Sequence, residues 1–117
     1  MTEATDILPP AGAVAVIFVS LRTDADQAGY DAASAAMAAL VSRQPGYLGV
    51  DSARGGDGLG ITVSYWADEA SARAWRGVAE HAAVRALGRA RWYAHYRVIV
   101  SQVTRAYEWH GEKAAAE

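Results

Sequence analysis

The side chains with which this sequence could do chemistry are concentrated in its second half, from Ser64 to Tyr107. That stretch holds Trp66, Trp75 and Trp92, two of the three histidines (His81 and His95) and the densest run of arginines. A histidine titrates near neutral pH, so His81 could move a proton to or from a phenolic substrate. Its alternative role is a hydrogen bond near a helix bend. Trp66, Trp75, Trp92 and Tyr96 could line an apolar pocket for a flat aromatic ligand, because such rings stack and exclude water; otherwise they fill the core between helix and sheet. Arg85 and Arg89 stand one helical turn apart and, with Arg91 and Arg97, could hold a carboxylate or phosphate. Read as surface, they form a solvated face with ion pairs to Glu80 or Glu108.

Other chemistries lack their residues. There is no cysteine, which removes disulfides and thiolate metal sites. His81, His95 and His110 fall in no His-x-x-x-His or Glu-x-x-His pairing, so no metal site is expected. No nucleophile elbow, P-loop or dinucleotide fingerprint is present. The net charge of −2 and pI near 5.9 give no positive field for nucleic acid. The apolar run Ala11–Leu21 is too short to cross a bilayer, which takes about 20 residues, and it follows acidic rather than basic residues. The expectation is a protein of the cytoplasm without a membrane or nucleic-acid partner.

The elements that must position these residues can be read in order. Residues 1–12, with Pro9-Pro10, read as a loose arm. Val14–Leu21 is rich in β-branched residues and nearly continuously apolar, as a strand covered on both faces would be. Thr23–Asp26 supplies capping oxygens, and Tyr30, Ala33, Met37, Leu40 and Val41 recur at helical spacing. Pro45-Gly46 ends that helix and forms a turn. Tyr47–Arg54 and Gly60–Trp66 read as two strands joined by Gly55-Gly56-Asp57-Gly58, with Ile61, Val63 and Tyr65 on one face and Thr62, Ser64 and Trp66 on the other. Asp68 is an N-cap for a second helix that could continue to Ala90, with Trp75, Val78, Ala79 and Ala82 on its buried stripe. Arg91-Trp92-Tyr93 reads as a connector, Tyr96–Tyr107 as the last strand, and residues 109–117 as a polar tail.

The order β-α-β-β-α-β predicts an α+β, ferredoxin-like domain over residues 13–108, with a four-stranded antiparallel sheet and two helices on one face. Two helices cover one face only, yet the first and last strands are apolar on both. The uncovered face therefore predicts a homodimer through sheet faces.

Gln44–Gly49 (QPGYLG), Ser64–Trp75 (SYWADEASARAW), Glu80-His81 and Gly88–Val98 (GRARWYAHYRV) together resemble the antibiotic biosynthesis monooxygenase domain family, over roughly Val14–Tyr107. The resemblance implies a dimeric α/β-barrel. It also implies a monooxygenase acting without cofactor on a small aromatic or quinol-type compound, in a cleft between the sheet and the second helix. His81 is then the expected base; Trp66, Trp75, Trp92, Tyr96 and Arg85 the expected substrate contacts. Trp75 matches the family's helix tryptophan. No asparagine occurs in the sequence, although an asparagine belongs to the family's pattern. His81 comes six residues after Trp75, and Val84–Leu87 stand where a haem-ligand histidine would fall. A non-catalytic dimeric ligand-binding domain is thus the alternative, with haem degradation a weaker one.

Overall fold

The computed structural model describes residues 4–85 and 92–111, with side chains described for residues 4–79 and 92–111. Its elements are β1 (Val14–Arg22), α1 (Gln27–Val41), β2 (Tyr47–Arg54), β3 (Leu59–Trp66), α2 (Glu69–Arg85) and β4 (Tyr93–Gln102). The strands form one antiparallel sheet in the order β2-β3-β1-β4, the ferredoxin-like arrangement.

Local chemistry sets most boundaries. Asp26 caps α1 from a left-handed conformation at φ 52°, which a short carboxylate side chain tolerates, and accepts the Gly29 N–H at 3.1 Å. Asp68 caps α2 by accepting the Ser71 N–H at 2.8 Å, a bond that lowers its pKa. At the β2–β3 turn, Asp57 accepts the Leu59 N–H at 3.0 Å and Gly58 adopts a φ of 91° that side chains disfavour.

The last strand departs from its sequence expectation. It starts at Tyr93 rather than Tyr96 and stops at Gln102 rather than Tyr107. A bulge opposite Leu21 and Arg22 lets Tyr93 pair with Arg22, so the connector is partly strand. At the other end Gln102 faces Val14, the first residue of β1, and beyond it lies no strand to pair with. Only Val103 continues, bonded to Gly12 and Ala13. Tyr107 and Trp109 project from the following segment, both largely exposed. In the N-terminal stretch read as a loose arm, the Thr5 N–H bonds Asp51 at 2.8 Å.

The register sorts side chains onto two faces, since residues directly opposite one another share a face. Val14, Val16, Phe18 and Ser20 lie with Trp66, Ser64 and Thr62 of β3 and with Val100, Val98 and Tyr96 of β4. This is the helix side: Val14, Trp66 and Ala72 are its buried centre, with Val41, Tyr47 and Trp75 packed around them. Ile17, Val19 and Leu21 point the other way with Leu59, Ile61, Val63 and Ile99. On that face Leu21, Leu59, Ile61 and Ile99 are all exposed.

The open face also carries a polar pair. The Tyr65 hydroxyl donates to Asp51 at 2.8 Å, and its pKa is pushed up to about 12, first by burial and then by that hydrogen bond and the carboxylate's charge. An unfolded tyrosine ionises near 10. The folded state therefore holds the proton more tightly. Its stabilising contribution is full below pH 10 and is lost as pH rises from about 10 to about 12. Alkaline unfolding of Tyr65→Phe should accordingly show a shallower pH dependence than wild type across that window. Equal slopes would disprove the assignment.

Candidate functional site

The structure divides the predicted aromatic residues between the two ends of the sheet. At one end Trp66 stacks on Trp75, with centroids 5.9 Å apart, and meets Tyr47 edge-on at 5.6 Å. Trp66 has no exposed surface and its indole N–H donates to Ser64 at 2.9 Å. At the other end Trp92 is buried, meets Tyr30 edge-on, and directs its indole N–H to Asp26 at 3.4 Å. Tyr96 joins Phe18 and Tyr93 there. Val14 and Arg22, the residues nearest the two groups, are eight steps apart on β1, roughly 26 Å at about 3.3 Å per residue. Trp66 and Trp92 therefore do not meet in one pocket. Each anchors a separate aromatic cluster.

Two bulges build these clusters. In a regular strand Tyr93 and Tyr96, three residues apart, would face opposite ways. The irregularity between them turns both toward Phe18. A second irregularity, between Tyr47 and Gly49 of β2, likewise brings Tyr47 onto the Trp66 side.

Between the clusters the helix side of the sheet is open. Val98 and Val100 of β4 lie on this side yet are 50% and 55% exposed. α2 lies over β1 and β3. The result is an open apolar strip of Val16, Phe18, Val98 and Val100 beside α2, with half-buried Trp75 toward one end and half-buried Tyr96 toward the other. Glu80, His81 and Arg85 belong to α2, but their side chains lie outside the described residues, as do Arg89 and Arg91. His95 and Arg97 are exposed on the opposite face, in register with Leu21 and Val19. His110 lies in the exposed segment after β4, 3.7 Å from Glu108.

The sequence reading passed over a polar group beside the second cluster. Arg22 is almost fully buried, and its guanidinium lies 3.8 Å from the Tyr30 ring centroid while donating to Trp92 O and Gln27 Oε1, both at 3.0 Å. Arg54 lies 5.7 Å from the same ring and donates to Ser20 Oγ at 2.8 Å and to the Tyr30 hydroxyl at 3.3 Å. Tyr93 is held protonated far above its usual range, chiefly by burial and by Tyr30, against an opposing pull from both arginines. It is a hydrogen-bond donor at neutral pH and not a base. Strand parity was the available signal, because Arg54 shares the helix-side face with Ser52 and Val50.

Among the described residues no group of histidines and carboxylates is placed to hold a metal ion, and no helix is long and apolar enough to cross a membrane. A recess of about 330 Å³ between residues 4–7 and the start of β2 is lined by apolar and small residues, with Asp6 and Tyr47 its titratable groups.

The fold is that of a small α+β domain that leaves an apolar strip of its sheet open beside the second helix. The sequence matches the antibiotic biosynthesis monooxygenase family over residues 13–87, from the threshold of β1 to beyond α2. A relative from Bacillus subtilis (strain 168), the uncharacterized protein YqjZ, is 45% identical over 91 residues, which is 78% of this chain and 79% of the relative. The chain belongs to the antibiotic biosynthesis monooxygenase family. Among solved structures, SnoaB, a cofactor-independent oxygenase from Streptomyces nogalater, superposes with a TM-score of 0.63 over 82% of this chain and 97% of its own, at 19% identity. NE2512 of Nitrosomonas europaea, of unknown function, gives a TM-score of 0.65 over 85% of this chain and 96% of its own, at 17% identity. At such identities these two likenesses establish the fold.

Proposed function

We propose that this chain is a cofactor-independent monooxygenase that holds a small aromatic or quinol-type compound in the cleft between β4 and α2. The observation that carries this reading is the exposure of Val98 and Val100, 50% and 55%, on the face the helices otherwise cover. Apolar surface left open beside Trp75 and Tyr96 suits a flat ring. The likeness to SnoaB supports the choice of chemistry.

In such a reaction a base removes a proton from the substrate, and the resulting anion gives its electrons to molecular oxygen. A carbon–oxygen bond forms and the oxygen–oxygen bond breaks. One oxygen atom stays as a carbonyl, and the other leaves as water with the two displaced hydrogens. The substrate is itself the reductant. The protein's task is a dry, shaped pocket and a proton acceptor. His81 is the proposed base and Arg85 the proposed contact to the substrate's oxygen. Trp75 and Tyr96 are the walls, with Trp66 stacked against Trp75 and Trp92 set further back against Tyr30.

Mixing the protein with anthrones should give the corresponding quinones with matching oxygen uptake. His81→Ala should slow it by roughly 10²- to 10⁴-fold, the usual contribution of a positioned acid–base group. An unchanged rate would remove His81 from the role. A second reading, a non-catalytic ligand-binding domain, draws on the absence of asparagine and of any described histidine or carboxylate in the cleft. It predicts saturable binding of the same compounds with no oxygen uptake.

We also propose that the open face is covered by a second copy. Ile17, Val19, Leu21, Leu59, Ile61 and Ile99 form a contiguous apolar surface across β1, β3 and β4, of a kind soluble monomers seldom leave in water.

A further inference from the structure

We infer that the recess between α1 and the β2–β3 half of the sheet is a binding site for a small oxyanion, carboxylate or phosphate, seated on Arg54. Two guanidiniums, Arg22 and Arg54, share one aromatic ring, and neither forms an ion pair with a carboxylate among the described residues. Their acceptors are all neutral: Trp92 O and Gln27 Oε1 for Arg22; Gly58 O, Ser20 Oγ and the Tyr30 hydroxyl for Arg54. Buried charge is costly without a counter-charge, so proteins ordinarily pair it. Arg22 is buried and Arg54 partly buried. The Arg54 guanidinium lies against Gly60, where an added Cβ would stand 2.5 Å from its Cζ.

Beside it is room for a ligand. A recess of about 110 Å³ is lined by Arg54, Tyr30, Ser34, Ser52 and Thr62, together with Gln27 and Asp31. Water occupies about 30 Å³ per molecule in the liquid, so this space takes a group of carboxylate or phosphate size and not a fused ring system. Arg54 spends three of its five N–H donors on the contacts above. The other two, with the Ser34, Ser52 and Thr62 hydroxyls, supply donors to an oxyanion. Arg22, behind the Tyr30 ring, adds positive potential without lining the recess. Two carboxylates stand near. Asp26 is engaged with the Gly29 N–H and the Trp92 indole, while Asp31 accepts from Gln27 at 2.8 Å on the recess wall. Asp31 opposes an anion and favours one that also carries a hydroxyl donor. The site is independent of the oxygenase reading, although Ser52, Thr62, Phe18 and Val98 form one cross-strand row that links it to the floor of the neighbouring cleft.

The test is an NMR titration of the full chain with sodium glycolate and, separately, with sodium phosphate, against sodium chloride at matched ionic strength. Saturable shifts of the Arg54 Nε–H and the Thr62 amide are expected with at least one of the two, and the stronger response identifies the source. Arg54→Gln should weaken binding roughly 10- to 100-fold, the loss of a hydrogen bond to a charged group. Asp31→Asn should strengthen it. Ser34→Phe fills the recess while leaving both arginines, and should abolish binding even if Arg54→Gln fails to fold. Shifts no larger than those from chloride, or a wild-type affinity in Ser34→Phe, would overturn the assignment.

Discussion

Replacing Trp66 with alanine should cost about 3–5 kcal/mol of folding stability, the range for large aromatic truncations in a core. Typical domains are stable by about 5–15 kcal/mol, so the loss is a large fraction of the total. Trp66 has no exposed surface, and among the described residues the buried centre around it contains only Val14 and Ala72 as buried apolar neighbours. Small side chains of that kind cannot collapse into the volume an indole vacates. The substitution also strands Ser64, which accepts the indole N–H. Trp75 rests on Trp66 at 5.9 Å but is only half buried, so Trp75→Ala should cost distinctly less. Urea unfolding of the two variants gives the comparison. Equal losses, or a loss below about 1 kcal/mol for Trp66→Ala, would mean that the indole is not the centre of the core.

That contrast shows where a sequence reading of this chain stops. Tryptophan type and spacing mark Trp66, Trp75 and Trp92 equally as pocket or core. Burial depends on the element and the end of the sheet at which each stands and on what crosses above it. The element order was legible because β-branched runs, the Pro45-Gly46 turn and the Asp68 cap are local signals. The β3 faces were legible from alternation, and the unbroken apolar run of β1 marked a strand covered on both faces. The bulges were not: nothing in the composition of Tyr93–Tyr96 says that an extra residue turns Tyr93 toward Phe18, because the irregularity exists only in the pairing with β1. Arg22 and Arg54 were missed for a related reason. Each is the last residue of its strand, where a charged side chain ordinarily reaches solvent, but the sheet places both beneath Tyr30 of α1, which is distant in sequence from Arg54.

Ile61→Asp should split the proposed sheet-face dimer into a species with the mass of one 12.4 kDa chain in light scattering at micromolar concentration. Ile61 sits on β3 facing away from the helices, opposite Val19 in the register, and is 45% exposed in the single chain. A second sheet laid on this face would bury it, and an unpaired carboxylate there costs about 2 kcal/mol or more. A two-fold interface carries the substitution twice, so the penalty is about 4 kcal/mol, a weakening near a thousandfold. Val98→Asp is the matching control. Val98 is similarly exposed, at 50%, but lies on the helix side. It should leave the mass unchanged while weakening the binding of an aromatic ligand in the cleft. The pair tests both faces at once, because residues of equal exposure separate only if one face meets a partner and the other meets a substrate. A wild-type mass of one chain would remove the sheet-face dimer, and dissociation by Val98→Asp instead of Ile61→Asp would exchange the roles of the two faces.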